Sequence, residues 1–425
     1  MIWGSRPSAP TLPPGARTGT GLKLFVALGP GDIVGARRSQ MAGKPITETS
    51  IAFSEQLFAY CRLRNIQTLA ISSSERPDKL EDGLFSIENR AKPLAGRAGA
   101  RFHLSLILYG LYLAIRARRF GANVAVIDSG TTHYFALTFF RLLGVPVLVN
   151  LHNVLWPRGF PPLGKLQRVI RLLNSLFFQY ASSGAIGVSP ECERQIASES
   201  RGKVPFFQYR CQFKRAGFAV PRLPTPDVFR ITFVGRAESN KGVLDIPRMV
   251  QGLRSHTPAK FIFEVCGDGP ALAELKSIVR EGRLEDEIII RGRVERDALL
   301  EVYSRSDAVI VPTRSTFTEG MPQACAEAVL SSVPVVTSDV TNAFDVIGPA
   351  IARATTDDVM SYVEAISSLS GNRPKYERLR SECPRLALQF VDRSQSYPAA
   401  LDRLLELVAG QRRLSSYDEI FREFT

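Results

Sequence analysis

Short apolar segments alternate with longer segments of helical periodicity along most of this chain, and this alternation constrains the fold more than any other feature. A first series begins with LKLFVAL and ends with GAIGVS, and a second begins with FRITFVG and ends with VPVVTS. Continuous apolar strands that alternate with helices are typical of parallel sheets covered on both faces. We therefore predict an α/β chain of two doubly wound, Rossmann-like domains that face each other across a cleft.

A segment with several prolines and few periodic apolar residues, 206–227, separates the two series and is predicted to be a linker. We assign 21–205 to an N-terminal domain and 228–395 to a C-terminal domain. Residues 396–425 are expected to form a helix that packs back on the N-terminal domain. Residues 1–20 are rich in Pro, Gly and Arg without an apolar core, which indicates a disordered leader rather than a signal peptide.

The chain is basic, with 54 Lys and Arg residues against 41 Asp and Glu and a formal net charge of +13. This excess favours anionic partners such as phosphates, nucleic acid or an acidic membrane face. Nucleic acid is disfavoured because neither a zinc-finger spacing nor an RNP-like string is present. Charge alone does not choose between a phosphate-bearing ligand and a membrane surface.

The six cysteines are scattered without a CxxC pair, which favours reduced thiols and a cytoplasmic location. The longest nearly apolar run, Leu104 to Ile115, is shorter than the ~20 residues needed to cross a bilayer. The segment that follows it, RARRF, contains three arginines. Two interpretations remain open, a buried helix with a basic end and a helix that docks peripherally on an anionic membrane.

The strongest motif is TEGMPQACAEAVLSSVPVVTS, in which Glu319 and Glu327 stand eight positions apart. Gly320 and Pro322 suit a tight turn that opens a helix at about Gln323. A helix N-terminus offers unpaired N–H groups to an anion, so a phosphate could bind beside these two carboxylates. Taken alone, the pair would also fit a capping acid and a solvated helix residue.

A second motif, FVGRAESNKG, begins at the end of the first strand of the second series. Gly235 ends that strand, while Arg236 and Lys241 place two cations near the next helix, where they could clamp a diphosphate leaving group. A surface loop with solvated charges is the alternative. A third motif, FEVCGDGP, lacks the third glycine of a dinucleotide fingerprint, which disfavours a Rossmann dehydrogenase.

In order, the strings FVGR, KG, CGDGP, RGRV and the acidic Gly-x-Pro loop with a second Glu and a VPVV strand resemble glycosyltransferase family 4, over about Phe229 to Ser338. The resemblance implies a GT-B fold and a retaining, nucleotide-sugar-dependent, hexosyltransferase-like enzyme. It implies that Arg236 and Lys241 grip the donor diphosphate, that Glu327 bonds the ribose hydroxyls and that Glu319 lies by the donor sugar.

The resemblance also implies that Arg293 and Val294 pack on the base, and it favours a site role for His152, which follows a strand. Gly31 could let the backbone approach the diphosphate from the opposite wall, or it could belong to an ordinary turn. The predicted catalytic residues are Glu319, His152, Arg236 and Lys241. The predicted donor-binding residues are Gly31, Gly235, Arg236, Lys241, Arg293, Val294, Gly320, Met321, Pro322 and Glu327.

The resemblance implies transfer of a sugar from a nucleotide-diphosphate sugar to a glycan or lipid-linked acceptor, in polysaccharide or glycolipid biosynthesis. No cofactor or metal is expected, because two cations and a helix terminus can supply the electrostatic role of a divalent ion. Met321 and Ser332 depart from the family's usual residues, so the sugar stays unidentified. The alternatives are a nucleotide-sugar epimerase or hydrolase of the same fold and a non-catalytic scaffold.

Overall fold

The computed structural model describes residues 21–43, 49–94, 98–218 and 227–424. The chain forms two sheets in these ranges, one from each predicted series, and helices cover them. The predicted architecture of two Rossmann-like α/β halves is therefore confirmed. The predicted leader, 1–20, and the end of the predicted linker, 219–226, lie outside the described residues.

The first sheet has eight strands in the order β3-β4-β2-β1-β5-β6-β7-β8, and only the β3–β4 pair at one edge is antiparallel. The strands are β1 (Lys23–Leu28), β2 (Gln67–Ser72), β3 (Asp78–Asp82), β4 (Phe85–Asn89), β5 (Val124–Asp128), β6 (Val147–Leu151), β7 (Ser182–Gly187) and β8 (Phe206–Gln208). The accompanying helices are α1 (Ile33–Met41), α2 (Phe53–Leu63), α3 (Gly99–Phe120), α4 (Thr138–Leu142), α5 (Lys165–Tyr180) and α6 (Pro190–Ser200).

The second sheet has six parallel strands in the order β11-β10-β9-β12-β13-β14. The strands are β9 (Val228–Val234), β10 (Lys260–Cys266), β11 (Ile288–Gly292), β12 (Ala308–Val311), β13 (Val335–Thr337) and β14 (Ile351–Arg353). The remaining helices are α7 (Ile246–His256), α8 (Leu272–Glu281), α9 (Arg296–Arg305), α10 (Gln323–Leu330), α11 (Phe344–Ile347), α12 (Val359–Gly371), α13 (Arg373–Ala387), α14 (Tyr397–Ala409) and α15 (Asp418–Phe421).

The central strands are buried on both faces, which explains their continuous apolar sequences. Every residue of β5 and β6 is buried, as expected for parallel strands between two helical layers. Local signals fix the helix starts as well. Ser189 caps α6 by accepting a hydrogen bond from the Cys192 N–H, and Pro190 occupies the first turn, where its missing N–H costs nothing. No helix in the described ranges is long and apolar enough to span a bilayer.

One part of the predicted linker differs in the structure. Residues 206–208 form strand β8, which pairs in parallel with β7 and completes the edge of the first sheet. A three-residue strand is too short to show periodicity, and Pro205 in front of it is a turn signal in sequence. The linker region therefore contributes to the first sheet.

The C-terminal helices α14 and α15 contact the first half of the chain. Leu404 of α14 packs over Gly184 in β7, and both helices contact α2. Asp402 accepts a hydrogen bond of 2.6 Å from the buried Tyr60 hydroxyl. The C-terminal segment thus crosses back from the second sheet to the first and ties the two halves together.

Candidate active site

A cleft of about 510 Å³ opens between the two sheets at their carboxyl ends. In such sheets, ligands bind outside the carboxyl ends of the strands, so this is the expected position for a site. The loops after β6, β9 and β12 form most of its walls. The sequence-predicted residues that line it are His152, Gly235, Arg236, Lys241, Glu319, Met321, Pro322 and Glu327.

Lys241 and Glu319 form an ion pair inside this cleft. The Lys241 Nζ lies 2.5 Å from the Glu319 Oε2, and the side chains are only 17% and 9% exposed. The Lys241 ammonium also lies 4.0 Å from the centre of the Phe317 ring, a cation–π contact. An ammonium has three N–H donors, of which Glu319 accepts one, so Lys241 can still donate to phosphate oxygens.

The loop that carries Glu319 is held in place from several sides. The Thr313 hydroxyl donates to the Glu319 Oε2 over 3.3 Å, and the Asn342 amide donates to the Glu319 carbonyl over 2.6 Å. Arg314 donates two hydrogen bonds, of 2.5 and 2.9 Å, to the Asp245 carboxylate. The carboxylate of Glu319 is therefore preorganised beside Lys241.

Arg236 stands at the mouth of the cleft. Its side chain is 62% exposed and pairs with Glu238 over 2.6 Å. Its guanidinium carbon lies 5.9 Å from the centre of the Phe317 ring, so Arg236 and Lys241 contact the same aromatic side chain. Two cations therefore border one part of the cleft, as a diphosphate site requires.

Glu327 lies within α10 and is buried on one side of the cleft. The Tyr303 hydroxyl donates to its Oε2 over 2.5 Å, and the Thr49 hydroxyl from the first half of the chain donates to its Oε1. Burial first, and then the Glu327 carboxylate, hold the pKa of Tyr303 well above its usual value, so Tyr303 remains a neutral donor. A ribose hydroxyl that binds Glu327 would compete with Thr49.

His152 follows β6, and its imidazole already has protein partners at both nitrogens. Its Nε2 lies 3.1 Å from the Asp128 Oδ2, and its Nδ1 lies 3.2 Å from the Tyr209 hydroxyl. The Phe53 ring packs at 4.7 Å between centroids. With 25% of its side chain exposed, His152 borders the cleft as a fixed part of the wall.

At Gly320 the two halves come into close contact. A Cβ atom there would lie 1.9 Å from the carbonyl oxygen of His152 and 2.6 Å from a methyl group of Val188. Real Cβ atoms do not approach a carbonyl oxygen so closely, so only glycine fits without separating the halves. The requirement for glycine in the predicted turn thus comes from the neighbouring half of the chain.

Besides Gly320, which packs against the first half, three predicted donor-site residues do not line this cleft. Gly31 is exposed in the loop after β1, beside Pro30 and Asp32, which line a different hollow. Arg293 is exposed and Val294 is half-buried against the core, in the loop that follows β11. The strand β11 is two positions from β9 in the sheet, which places this loop to one side of the two cations.

Sequence reasoning missed Phe317, Thr313 and Phe53, which line the cleft, and Asp128 and Tyr209, which hold His152. Thr313 and Asp128 stand just after or at the end of apolar strands, and this position could have identified them. Phe53 and Tyr209 carry no comparable signal, because they reach the cleft only through the folding of distant segments.

Cysteine chemistry has no support in the cleft. All six cysteines are buried and unpaired. Burial raises the pKa of Cys211, which lines the cleft, to about 12, so its thiol stays protonated and a poor nucleophile near neutral pH. In the ranges that the structure describes, no group of three or more His, Cys, Asp or Glu residues is arranged to hold a metal ion.

Comparisons with known proteins agree with this architecture. Residues 221–384 match the family model of glycosyl transferases group 1. The chain is 26% identical over 223 residues to the 2-deoxystreptamine glucosyltransferase of Streptomyces kanamyceticus, a match that covers 49% of this chain and 56% of that protein. The match thus spans just over half the length of that relative.

Two solved structures resemble nearly the whole chain. Sucrose-phosphate synthase from Thermosynechococcus elongatus has a TM-score of 0.66 at 13% identity, covering 92% of this chain and 98% of its own. HepE of Anabaena, solved in complex with UDP, has a TM-score of 0.60 at 13% identity, covering 92% and 100%. At this identity the likeness concerns the fold. The chain therefore has the GT-B fold, and residues 221–384 are similar to glycosyl transferases group 1.

Proposed function

We propose that this chain is a retaining glycosyltransferase of family 4 that transfers a sugar from a nucleotide-diphosphate sugar to a glycan or lipid-linked acceptor. The observation that carries the proposal is the Lys241–Glu319 pair inside the cleft, with Arg236 at its mouth. A cation and a carboxylate held side by side suit a donor whose diphosphate and sugar are adjacent. The match of 221–384 to the glycosyl transferases group 1 model supports glycosyltransferase activity.

In the proposed mechanism, the second half of the chain holds the nucleotide and the first half faces the acceptor. Lys241 and Arg236 stabilise the negative charge that grows on the departing diphosphate. Glu319 orients the sugar hydroxyls or steadies positive charge at the anomeric carbon, and Glu327 bonds the ribose. The acceptor hydroxyl attacks on the face from which the diphosphate departs, and an oxygen of that leaving group takes the proton.

We propose that the transfer needs no divalent metal. Among the described residues, no side chain caps α10, and the first residues of this helix, Gln323 and Ala324, line the cleft. The first N–H groups of a helix carry partial positive charge, which adds to that of Lys241 and Arg236 near a phosphate. We expect activity to persist in the presence of a chelator such as EDTA.

The direct test is to incubate the protein with a panel of nucleotide-sugars and candidate acceptors and to measure release of nucleoside diphosphate. NMR of the product reads the anomeric configuration. We expect diphosphate release that depends on an acceptor, with the donor configuration retained. Release with water as the only acceptor would favour a hydrolase, and inversion would exclude the retaining assignment.

We also propose that the protein works at the cytoplasmic face of a membrane, as a peripheral protein. Two surface helices of the first half expose apolar side chains beside basic ones. In α3, Leu104, Leu108 and Leu111 are 48%, 40% and 36% exposed, and the exposed Arg118 and Arg119 lie in its last turn. Both α3 and α5 contact the turn 134–137, so they lie in one layer on the same face of the sheet. Such helices suit an anionic membrane surface.

A further inference from the structure

A second hollow, of about 540 Å³, lies beside the cleft and has no role in the proposed donor site. Its volume is within the range of about 300–1,000 Å³ that is usual for small-molecule sites. The loop after β6 supplies Leu155, Trp156 and Phe160, together with several prolines, and α5 supplies Ile170. Most of the wall is therefore aromatic or aliphatic.

The polar side chains that α5 and α6 contribute to this wall are already paired with one another or with the backbone. Arg171 lies 2.8 Å from Glu199 and stacks on Trp156 at 4.3 Å from the ring centre. The Asn174 side chain accepts a hydrogen bond of 3.0 Å from a backbone N–H at Phe135. A polyhydroxylated ligand that binds these groups would have to compete with these bonds, whereas an aliphatic ligand would leave them intact.

Two loops are shared between this hollow and the cleft. In the loop after β12, Thr316 and Thr318 line the hollow, whereas Phe317 and Glu319 line the cleft. In the loop after β6, Asn153 lines the cleft and Trp156 lines the hollow. Only the backbone of these two shared loops would therefore separate a ligand in the hollow from the cleft that contains the Lys241–Glu319 pair.

The outer rim of the hollow continues onto an exposed apolar stripe. At the rim, Phe160 is 45% exposed and Leu163 is 75% exposed. The stripe continues along α5 through Leu166, Val169, Leu173, Leu176 and Tyr180, which are 38–66% exposed. This helix has three basic residues and no acidic one. Its charge suits anionic lipid and disfavours pairing with a second copy of itself, because like charges repel.

We propose that the second hollow binds a long aliphatic chain that is joined through a phosphate to the sugar acceptor, so that the acceptor is lipid-linked. The inference rests on the proposed function, because it places this chain next to the site of sugar transfer. The lipid enters from the α5 stripe, and its head group reaches the cleft over the two shared loops.

The test uses the position of Trp156. The chain has two tryptophans, so a Trp3→Phe variant leaves Trp156 as the only one, and its fluorescence reports occupation of the hollow. Farnesyl phosphate and dodecyl phosphate are titrated below their aggregation thresholds, with inorganic phosphate as a third arm. We expect saturable changes with the two chain-bearing probes and none with phosphate. The probe that binds more tightly shows whether the hollow prefers an isoprenoid or a straight aliphatic chain.

A double variant, Phe160→Ser with Leu163→Ser, removes two exposed side chains at the rim. It should bind the probes about tenfold or more weakly, since burial of one such side chain is worth that much in affinity. Leu407→Ser on α14, where the native leucine is 60% exposed, is the matched control and should bind as the parent does. Equal binding by the double variant and the control would overturn the proposal.

UDP binding, measured by calorimetry on the same proteins, separates this inference from the proposed function. The double variant should keep full UDP affinity. Probes that fail to bind while UDP binds would overturn the lipid site alone, whereas failure of every nucleoside diphosphate to bind would argue against the glycosyltransferase itself. A parent dimer that the double variant converts to a monomer would show that the stripe covers a second copy, and would also overturn the lipid site.

Discussion

At the scale of single residues, the ion pair of Lys241 and Glu319 connects the stability of the cleft to its chemistry. Both side chains are mostly buried, so each is the main compensation for the charge of its partner. Removal of one partner leaves the other as an unpaired charge in a poorly hydrated place. A substitution here is therefore expected to affect folding as well as turnover.

We expect Glu319→Ala to lower turnover by about a hundredfold, the usual effect of losing one preorganised electrostatic group. It should also lower the free energy of unfolding by about 1–3 kcal/mol, because Lys241 loses its partner. Glu319→Gln keeps an acceptor for Lys241 and should destabilise less. Steady-state kinetics and urea unfolding measure the two effects, and Glu274→Ala on the exposed face of α8 is the control. Full turnover in Glu319→Ala would refute the assignment.

A second residue-scale prediction concerns pH. Burial first, and then the nearby His103 and Lys92, lower the pKa of the half-buried His133 to about 4, whereas an unfolded His titrates near 6.5. The unfolded state therefore binds the proton first as the pH falls. The free energy of unfolding should thus decrease as the pH falls from about 6.5 to about 4. His133→Gln should have a flatter profile of unfolding free energy between pH 7 and 5. An unchanged slope would contradict this account.

At the scale of secondary structure, the helix α5 is expected to bind membranes through its exposed stripe. Leu166→Ser combined with Val169→Ser and Leu173→Ser removes exposed apolar area without opening a cavity. It should abolish co-sedimentation with vesicles that contain anionic lipid and leave the melting temperature unchanged. Leu407→Ser on α14 should still co-sediment. A role for α5 would be contradicted if the triple variant and the Leu407→Ser control both bound neutral vesicles, or if neither bound anionic vesicles.

The central strands were predictable because burial on both faces makes their sequences continuously apolar. The helices between them were predictable from their helical periodicity. The hairpin of β3 and β4 was not predicted, since its outer strand lies at an edge and reads DKLED. The strands β8, β13 and β14 have three residues each, but only β13 is buried throughout and stands in a predicted apolar run, VPVV. Elements were thus predictable in proportion to their burial and length.

The site was predictable where its residues lie close together in sequence, as Glu319 and Glu327 do. The contact of Thr49 with Glu327 joins residues 278 positions apart. The support of His152 by Asp128 and Tyr209 likewise comes from separate strands and loops. No local pattern encodes such contacts, because they depend on how the halves pack together.

At the scale of the whole molecule, Gly320 allows the two halves to approach each other closely. In Gly320→Ala, the new Cβ would meet the His152 carbonyl oxygen at 1.9 Å, so the halves must separate. We expect sugar transfer to fall much more than the affinity for UDP, which depends mainly on the second half. Gly348→Ala, where a Cβ meets nothing within 4 Å, is the control. Unchanged transfer in Gly320→Ala would mean that the cleft functions in a more open form.

The central claim is that the cleft binds a nucleoside diphosphate through its diphosphate, beside Glu319. Calorimetric titration of UDP and UMP, and of the corresponding adenine and guanine nucleotides, into the parent protein and Lys241→Met tests this claim directly. For the preferred base, we predict that the parent binds the diphosphate at least about tenfold more tightly than the monophosphate, as one lost charge-assisted contact implies. Lys241→Met should lose most of that difference. Equal affinities in the parent, or a difference that persists in Lys241→Met, would contradict the account.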